Sequence, residues 1–259
     1  MIPRMRMGRW RKPPENAPEF YHCHCRLHVT ARPFVTGGKA RFTEILNRQA
    51  AFSGVEVLTY SLLDDRFHLL CHVPKPPSQF PVGEELLRRF VALFPEARAK
   101  AIVRRWECLP AAERPAWESM IHRRMWNIGL FMKDVKQRYS EWNNRKTGNE
   151  GGSWNQRYHC EWVDASSPVL WTTAAFIDLA PLRAGLETDP KAHRWGAFGA
   201  AVAGCPVARA GFGRIVASFG PPGGEEPFEV YRRWLNGVRA LMGMPETKPS
   251  PLPPSPGLN

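Results

Sequence analysis

The sequence has no long apolar run. Its longest uncharged stretches, 165–177 and 195–208, fall short of the ~20 apolar residues that span a bilayer. The basic stretch 1–12 is not followed by an apolar segment, so it does not have the pattern of a secretory signal. We therefore expect a cytoplasmic protein without a membrane partner. In such a compartment the six cysteines are expected to be reduced thiols rather than disulfides.

Acidic residues are scarce relative to basic ones. The chain has 24 Asp and Glu against 36 Lys and Arg, a formal charge of +12, which favours a polyanionic partner or an acidic membrane surface. Ten Trp, 14 Phe and five Tyr supply flat faces that can stack on unpaired bases. An apolar content of 43% and a charged content of 23% are typical of a folded globular protein. Basic and aromatic composition together indicate a nucleic-acid partner.

The first half of the chain has the periodicity of an α+β domain. Cysteine and leucine alternate with histidine and arginine in 21–29, which is the period-two pattern of a strand with one face in water. The remaining spacing predicts helix 39–53, strands 55–61 and 66–73, helix 117–142 and strand 154–163. This order predicts a ferredoxin-like antiparallel sheet with helices.

The predicted organisation has four parts. We expect a basic N-terminal arm at 1–19, the α+β domain at 20–164, a helical C-terminal extension at 165–244, and a disordered, proline-rich tail at 245–259. Helical stretches at 169–179, 191–203 and 227–242 define the extension.

A polar patch on the predicted strand 66–73 is the first candidate for chemistry. Asp64, Arg66, His68 and His72 share one face of this segment because alternate strand residues point the same way. A solvated strand face would look the same, so both interpretations stay open. A zinc site is a third alternative, although Cys-x-Cys spacing disfavours it; its ligands would come from Cys23, Cys25, Cys71, His68 and His72.

A tyrosine among cations is the second candidate. Tyr139 lies on the apolar stripe of the predicted helix, where a tyrosine is usually part of the core. Nearby cations would favour a phenolate that attacks a phosphodiester, and they include Lys133, Lys136, Arg138, Arg145 and Lys146. Spacing alone leaves both roles open.

An ordered set of motifs changes this balance. Tyr21-His22 with Arg26 is followed by Val57-Leu58-Thr59-Tyr60 and by Phe67-His68-Leu69-Leu70 before Val73-Pro74. Later segments are Lys136-Gln137-Arg138-Tyr139, then 151–158, then 176–186 with His193-Arg194-Trp195. In this order the motifs resemble the single-tyrosine HUH transposases, of the REP-associated tyrosine transposase type.

The resemblance implies a metal-dependent tyrosine transposase that cleaves and rejoins structured single-stranded DNA in DNA transposition, and the usual substrate is hairpin DNA. Tyr139 matches the nucleophile that forms a 5′-phosphotyrosine link. A His-x-His pair would hold Mg²⁺ or Mn²⁺, and Asn143, one helical turn after Tyr139, would be a further ligand. The implied partners are single-stranded or hairpin DNA, and a homodimer is an open alternative. His68 and Tyr139 are expected to lie close together.

One position departs from the family pattern. Arg66 stands where the family has the first histidine of the pair, and its guanidinium cannot ligate a metal, so His68 is the surviving ligand. Asp64, or His24 or His22 on a neighbouring strand, are candidate substitutes, and Arg66 itself is a candidate phosphate contact. The alternative function is a catalytically impaired protein that binds hairpin DNA. The expected DNA contacts are Arg66, Lys136, Arg138, Arg145, Lys146 and Arg157.

An RNA-binding ferredoxin-like domain is the remaining rival. Such domains stack bases on exposed aromatic residues of the sheet. The residues expected on that face are His22, His24, Arg66 and His68, none of which is Phe or Tyr, and this disfavours the rival.

Overall fold

The structure is a computed structural model that describes residues 19–28, 34–155, 157–165, 168–218, 220 and 223–244. The predicted arm, apart from Glu19, and the predicted tail lie outside these residues. Four antiparallel strands form one sheet in the order β2-β3-β1-β4. The strands are β1 Glu19–Arg26, β2 Glu56–Leu62, β3 Arg66–Val73 and β4 His159–Val163.

Two helices connect the strands in the order that defines a ferredoxin-like domain. Helix α1, Gly38–Ser53, follows β1, and helix α5, Ile128–Thr147, precedes β4. Both pack on one face of the sheet, where Phe42 of α1 and Val135 of α5 are fully buried against Cys23 of β1. The β-α-β-β-α-β order with this strand arrangement confirms the predicted α+β fold class.

A helical insertion lies between β3 and α5. It consists of α2 Gly83–Val91, α3 Glu96–Glu107, a single turn Ala111–Glu113 and α4 Arg114–His122, and it has a small core of its own. The predicted helix 117–142 is therefore two helices. Trp126 breaks it with a φ of 48°, and its backbone N–H donates to Ser53 O at 2.7 Å. Asn127 Oδ1 then caps α5 by accepting from the Leu130 N–H.

The C-terminal helices cover the other face of the sheet. They are α6 Val169–Asp178, α7 Ala180–Arg183, α8 Ala197–Val202, α9 Pro206–Ala217 and α10 Pro227–Leu241, and α9 was not among the helices predicted from sequence. Phe20, Leu58 and Leu70 of the sheet lie in their core. The region predicted as an extension thus builds half of the hydrophobic core. Within the described part of the chain, no helix combines the length and hydropathy that a membrane span needs.

A buried carboxyl group fastens this helical layer to the sheet. Asp178 at the end of α6 accepts hydrogen bonds from the Thr59 hydroxyl of β2 and the Tyr231 hydroxyl of α10, both at 2.5 Å. Burial raises the pKa of Asp178 to about 7, although both hydrogen bonds oppose the rise. Three elements distant in sequence are therefore joined at one carboxyl group.

Candidate functional site

Four histidines form a row across the sheet, on the face that the C-terminal helices partly cover. His22 and His24 come from β1, His68 from β3 and His159 from β4. His24 pairs in register with both His68 and His159, so the strand pairing itself brings them together. Ring centroids are 4.8 Å apart for His24 and His159, and 5.4 Å apart for His24 and His68 and for His22 and His68. We call these four residues the histidine row.

The C-terminal helices leave part of this row open. His22 and His68 are each only 9% exposed, whereas His24 and His159 are half-buried and Arg26 at the end of β1 is exposed. Phe176 of α6 overhangs the buried end. Its ring centroid lies 6.0 Å from that of His22 and 5.7 Å from that of His68, yet Phe176 remains 47% exposed. A large exposed aromatic ring therefore borders a polar sheet surface.

Three imidazoles of the row, those of His22, His24 and His68, are neutral at pH 7. Burial, followed by the neighbouring His24, lowers the pKa of His22 to about 3. Burial, followed by His159, Arg26 and Arg66, lowers the pKa of His24 to about 4. The pKa of His68 is also well below its ordinary value, chiefly through burial. His22 Nε2 and His68 Nδ1 lie 3.1 Å apart, so one neutral ring donates to the other.

Two arginines border the histidine row. Arg66 is held by its neighbour Asp65, with Nε 2.7 Å from Oδ1 and Nη2 3.0 Å from Oδ2. Arg183 of α7 places its Cζ 4.1 Å from the centroid of the Phe176 ring and donates through Nη2 to the Phe176 carbonyl oxygen. Burial lowers the pKa of Arg183 to about 10, so its guanidinium remains charged at pH 7.

Tyr139 lies on the opposite side of the sheet from His68. Its ring packs against Phe34, Phe42 and Trp154, at centroid distances of 5.4, 5.7 and 5.3 Å. Phe67 contacts Phe42 and Trp154 in the same layer, and its neighbour His68 points the other way because alternate strand residues do. The structure therefore does not bring His68 and Tyr139 together, contrary to the expectation from sequence.

The expected metal ligands do not converge. Asn143 lies buried on α5, on the Tyr139 side of the sheet, and Asp64 accepts from Lys39 Nζ at 2.7 Å in the turn before β3. Of the candidate substitutes, His24 and His22 lie beside His68, whereas Asp64 is paired with Lys39. Mg²⁺ and Mn²⁺ prefer oxygen ligands, and neither of the expected oxygen ligands, Asn143 and Asp64, lies beside the imidazoles of the row. Among the described residues, no three His, Cys, Asp or Glu side chains are placed to hold a metal ion.

The zinc alternative fails for the same reason. Cys23, Cys25 and Cys71 point to the α1 and α5 side of the sheet, whereas His68 and His72 occupy alternate positions on β3 and point to the other side. Cys23 Sγ instead lies 3.4 Å from Cys160 Sγ inside the core. These cysteines are buried packing residues.

The expected DNA contacts fall into two groups. Arg138 donates to Leu93 O at 3.0 Å and lies 4.8 Å from the Phe94 ring, so it ties α5 to the helical insertion. The others remain at the surface. Lys136 Nζ lies 5.6 Å from the Trp154 ring and 5.7 Å from the Tyr158 ring, and Lys146 Nζ lies 5.7 Å from the Trp142 ring. Arg145 and Arg157 are exposed.

These surface cations lie near the same end of the sheet as the open part of the histidine row. Trp154 and Asn155, which precede β4, lie along the end of β1, since the Asn155 N–H donates to Arg26 O at 3.0 Å and Trp154 forms a bridge with Leu27. We call Lys136, Arg145, Lys146 and Arg157 the basic end.

Sequence reasoning missed three residues of this site: His159 as a member of the row, and Phe176 and Arg183 above it. The alternation in β1 had already indicated that His22 lies on this face. The segment 176–186 was noted only as a motif, because sequence alone gives no indication that α6 and α7 pack beside β3.

Comparison with known proteins gives one structural likeness. No protein-family model matches the chain, and no curated protein matches it in sequence. Among solved structures, it is similar to a REP-associated tyrosine transposase bound to a REP hairpin. The identity is 10%, the alignment covers 78% of this chain and 90% of that chain, and the TM-score is 0.46.

Proposed function

We propose that this protein binds structured single-stranded DNA across the histidine row and the basic end. The observation that carries the proposal is the half-exposed Phe176 ring, held by Arg183, above the neutral imidazoles of His22 and His68. An aromatic ring stacks on an unpaired base with about 1–3 kcal/mol by alanine substitution. Neutral imidazoles both donate and accept hydrogen bonds, so they suit the edges of unpaired bases.

The charge distribution supports a nucleic acid over other ligands. Arg183 and Arg66 lie beside the row, and the four cations of the basic end continue the positive surface at the end of the sheet. Phosphate oxygens pair with such cations, whereas bases buried inside a duplex cannot reach Phe176. A single strand next to a hairpin stem offers both unpaired bases and closely spaced phosphates.

Binding without cleavage is the form of the proposal that the site geometry favours. A tyrosine nucleophile must lose its proton, and burial raises the pKa of Tyr139 above its ordinary value. Tyr139 has no contact with the histidine row. Strand cleavage and rejoining through Tyr139, which the sequence resemblance implies, stays a prediction that the second experiment below tests.

Binding is tested with a DNA hairpin that carries a single-stranded extension, measured by fluorescence anisotropy. Phe176→Leu removes the aromatic face and Arg183→Gln removes the cation, and each is expected to weaken binding about 5- to 50-fold. Phe176→Tyr should retain affinity. Arg105→Gln, which removes an equal charge from the exposed side of α3, is the matched control and should change affinity less than twofold. Equal affinities for all variants would contradict the proposal, and tighter binding to the RNA hairpin of the same sequence would favour the RNA-binding rival.

Cleavage is tested by incubating the protein with the same hairpin and Mn²⁺, followed by denaturing electrophoresis. We expect no covalent protein–DNA adduct. An adduct that Tyr139→Phe abolishes would establish the nicking reaction and contradict binding without turnover.

A further inference from the structure

The hydroxyl group of Tyr139 lies at the N-terminus of α1. A methyl group added to Gly38 would lie 2.9 Å from Tyr139 Oη, so only a glycine at the first helical residue leaves room for the hydroxyl. Tyr139 is 1% exposed, and its hydroxyl forms no hydrogen bond with another described residue. Its O–H is therefore available to donate to a ligand at this helix end.

Backbone amides at the same helix end are also unpaired. The Gly38 N–H donates to Val35 O at 2.6 Å, and the Arg41 N–H donates to Gly37 O at 3.0 Å. The amides of Lys39 and Ala40 between them have no acceptor in the described part of the chain. Gly37, the N-cap, has no side chain with which to cap them. The helix has 16 residues, so its N-terminus carries the partial positive charge of a full helix.

We propose that the N-terminus of α1 and the Tyr139 hydroxyl together form a binding site for a phosphate group. Three donors are available at this site: the backbone amides of Lys39 and Ala40 and the hydroxyl of Tyr139. A phosphate oxygen can accept from them without breaking an existing hydrogen bond with a described residue. Lys39 Nζ, 2.7 Å from Asp64 Oδ1, brings a cation and a carboxylate to the same region, so the local charge from side chains is balanced. The helix end therefore supplies the net attraction for the anion.

The state of Tyr139 agrees with a donor role. Burial raises the pKa of its hydroxyl, which keeps the proton on the oxygen at pH 7. A protonated phenol donates to phosphate oxygen, whereas attack on phosphorus would require the proton to be removed. Tyr139 is thus assigned to phosphate recognition.

Inorganic phosphate and a DNA phosphate present the same oxygens. The titration with inorganic phosphate is independent of the proposed DNA-binding function. The experiment with phosphorylated DNA rests on that function. The first experiment titrates the protein with inorganic phosphate by isothermal calorimetry. Tyr139→Phe should bind at least about 10-fold more weakly, the effect of one lost hydrogen bond to a charged group. Tyr158→Phe, a second partly buried tyrosine of the same core, is the matched control and should bind like the wild type.

Gly38→Ala provides a second variant because its methyl group occupies the space beside Tyr139 Oη. It should also weaken phosphate binding at least about 10-fold. Thermal unfolding shows whether each variant folds, and if Gly38→Ala does not, the comparison of Tyr139→Phe with Tyr158→Phe decides alone.

The DNA arm compares a hairpin that carries a 5′-phosphate with the same hairpin without it. Tighter binding of the phosphorylated hairpin, lost in Tyr139→Phe, would assign the site to a DNA end. Binding of inorganic phosphate without this preference would assign it to the free anion. If the wild type binds neither form of phosphate through Tyr139, the site is overturned, while the effect of Phe176→Leu on hairpin affinity still tests the proposed function separately.

Discussion

His68 and Tyr139 lie on opposite faces of the same four-stranded sheet, and Phe67, the neighbour of His68 on β3, belongs to the Tyr139 side. A single phosphate cannot contact both side chains in this arrangement. The two residues therefore belong to two surfaces, the histidine row on one side and the N-terminus of α1 on the other.

This separation predicts the outcome of rebuilding the His-x-His pair. Arg66→His would place a second imidazole two positions from His68 on the same strand face. We expect no covalent adduct with hairpin DNA in Mn²⁺, because Tyr139 stays on the other face of the sheet. The measurement is denaturing electrophoresis with Arg66→His/Tyr139→Phe as the control. An adduct that appears only when Tyr139 is present would show that the two faces communicate.

The close packing of α9 on β2 predicts the effect of one methyl group. A Cβ at Gly211 would lie 2.3 Å from Leu58 O, which is backbone and cannot move away. Gly211→Ala should lower the free energy of unfolding by about 1–3 kcal/mol. Gly213→Ala on the same helix is the matched control, because no atom lies within 4 Å of its Cβ, and it should raise stability by up to about 1 kcal/mol. Chemical denaturation of both variants measures the difference.

His22 predicts a loss of stability in acid. Its folded pKa of about 3 is below the ordinary 6.5, so between these values the unfolded chain binds a proton that the folded protein does not. The contribution of neutral His22 to the free energy of unfolding is therefore complete above pH 6.5. Below pH 6.5 this contribution falls by about 1.4 kcal/mol per pH unit. His22→Gln, which still hydrogen-bonds to His68, should flatten the decline in unfolding free energy between pH 6.5 and 4.5. An unchanged profile would contradict the buried, neutral state of His22.

Asp178 predicts a pH dependence of stability that is opposite to that of His22. Its folded pKa of about 7 is above the ordinary 3.8, so its stabilisation is present at low pH and is lost as the pH rises toward 7. Asp178→Asn removes this opposing contribution and should make the acid destabilisation of the protein steeper. Urea unfolding at pH 4.5, 5.5 and 6.5 compares the two profiles. If the unfolding free energies of Asp178→Asn and the wild type changed with pH in parallel, Asp178 would be ionised in the folded state.

The basic end predicts a change in the salt dependence of binding. Arg145→Gln with Lys146→Gln should reduce the slope of log affinity against log salt by about 1.4, that is about 0.7 for each phosphate contact on a single strand. Arg138→Gln should leave the slope unchanged and lower the unfolding temperature instead, because its guanidinium binds Leu93 O. Hairpin titrations at several salt concentrations, paired with thermal unfolding, check both. A lower slope for Arg138→Gln would return this residue to the DNA interface.

The sequence by itself determined the sheet and its chemistry at the level of single elements. Period-two alternation located β1 and β3, and it placed His22, His24 and His68 on one face, because successive strand residues point to opposite sides. Composition set the formal net charge of +12, which is counted from residue types alone. Strand periodicity depends only on residues that are close in sequence, and charge depends only on composition. Both can therefore be predicted without knowledge of the tertiary contacts.

Tertiary structure decided what each face meets. The cations beside Tyr139 follow from its neighbours in sequence, wherever its helix packs. The packing of α5 on the Cys23 side of the sheet is what placed Tyr139 opposite His68. The packing of α6 and α7 placed Phe176 and Arg183 above the histidine row, and burial there lowers the pKa of His22 and His68. The break between α4 and α5 likewise depends on a tertiary contact, the hydrogen bond from the Trp126 N–H to Ser53 O. Such contacts join residues far apart in the chain, so local periodicity has no signal for them.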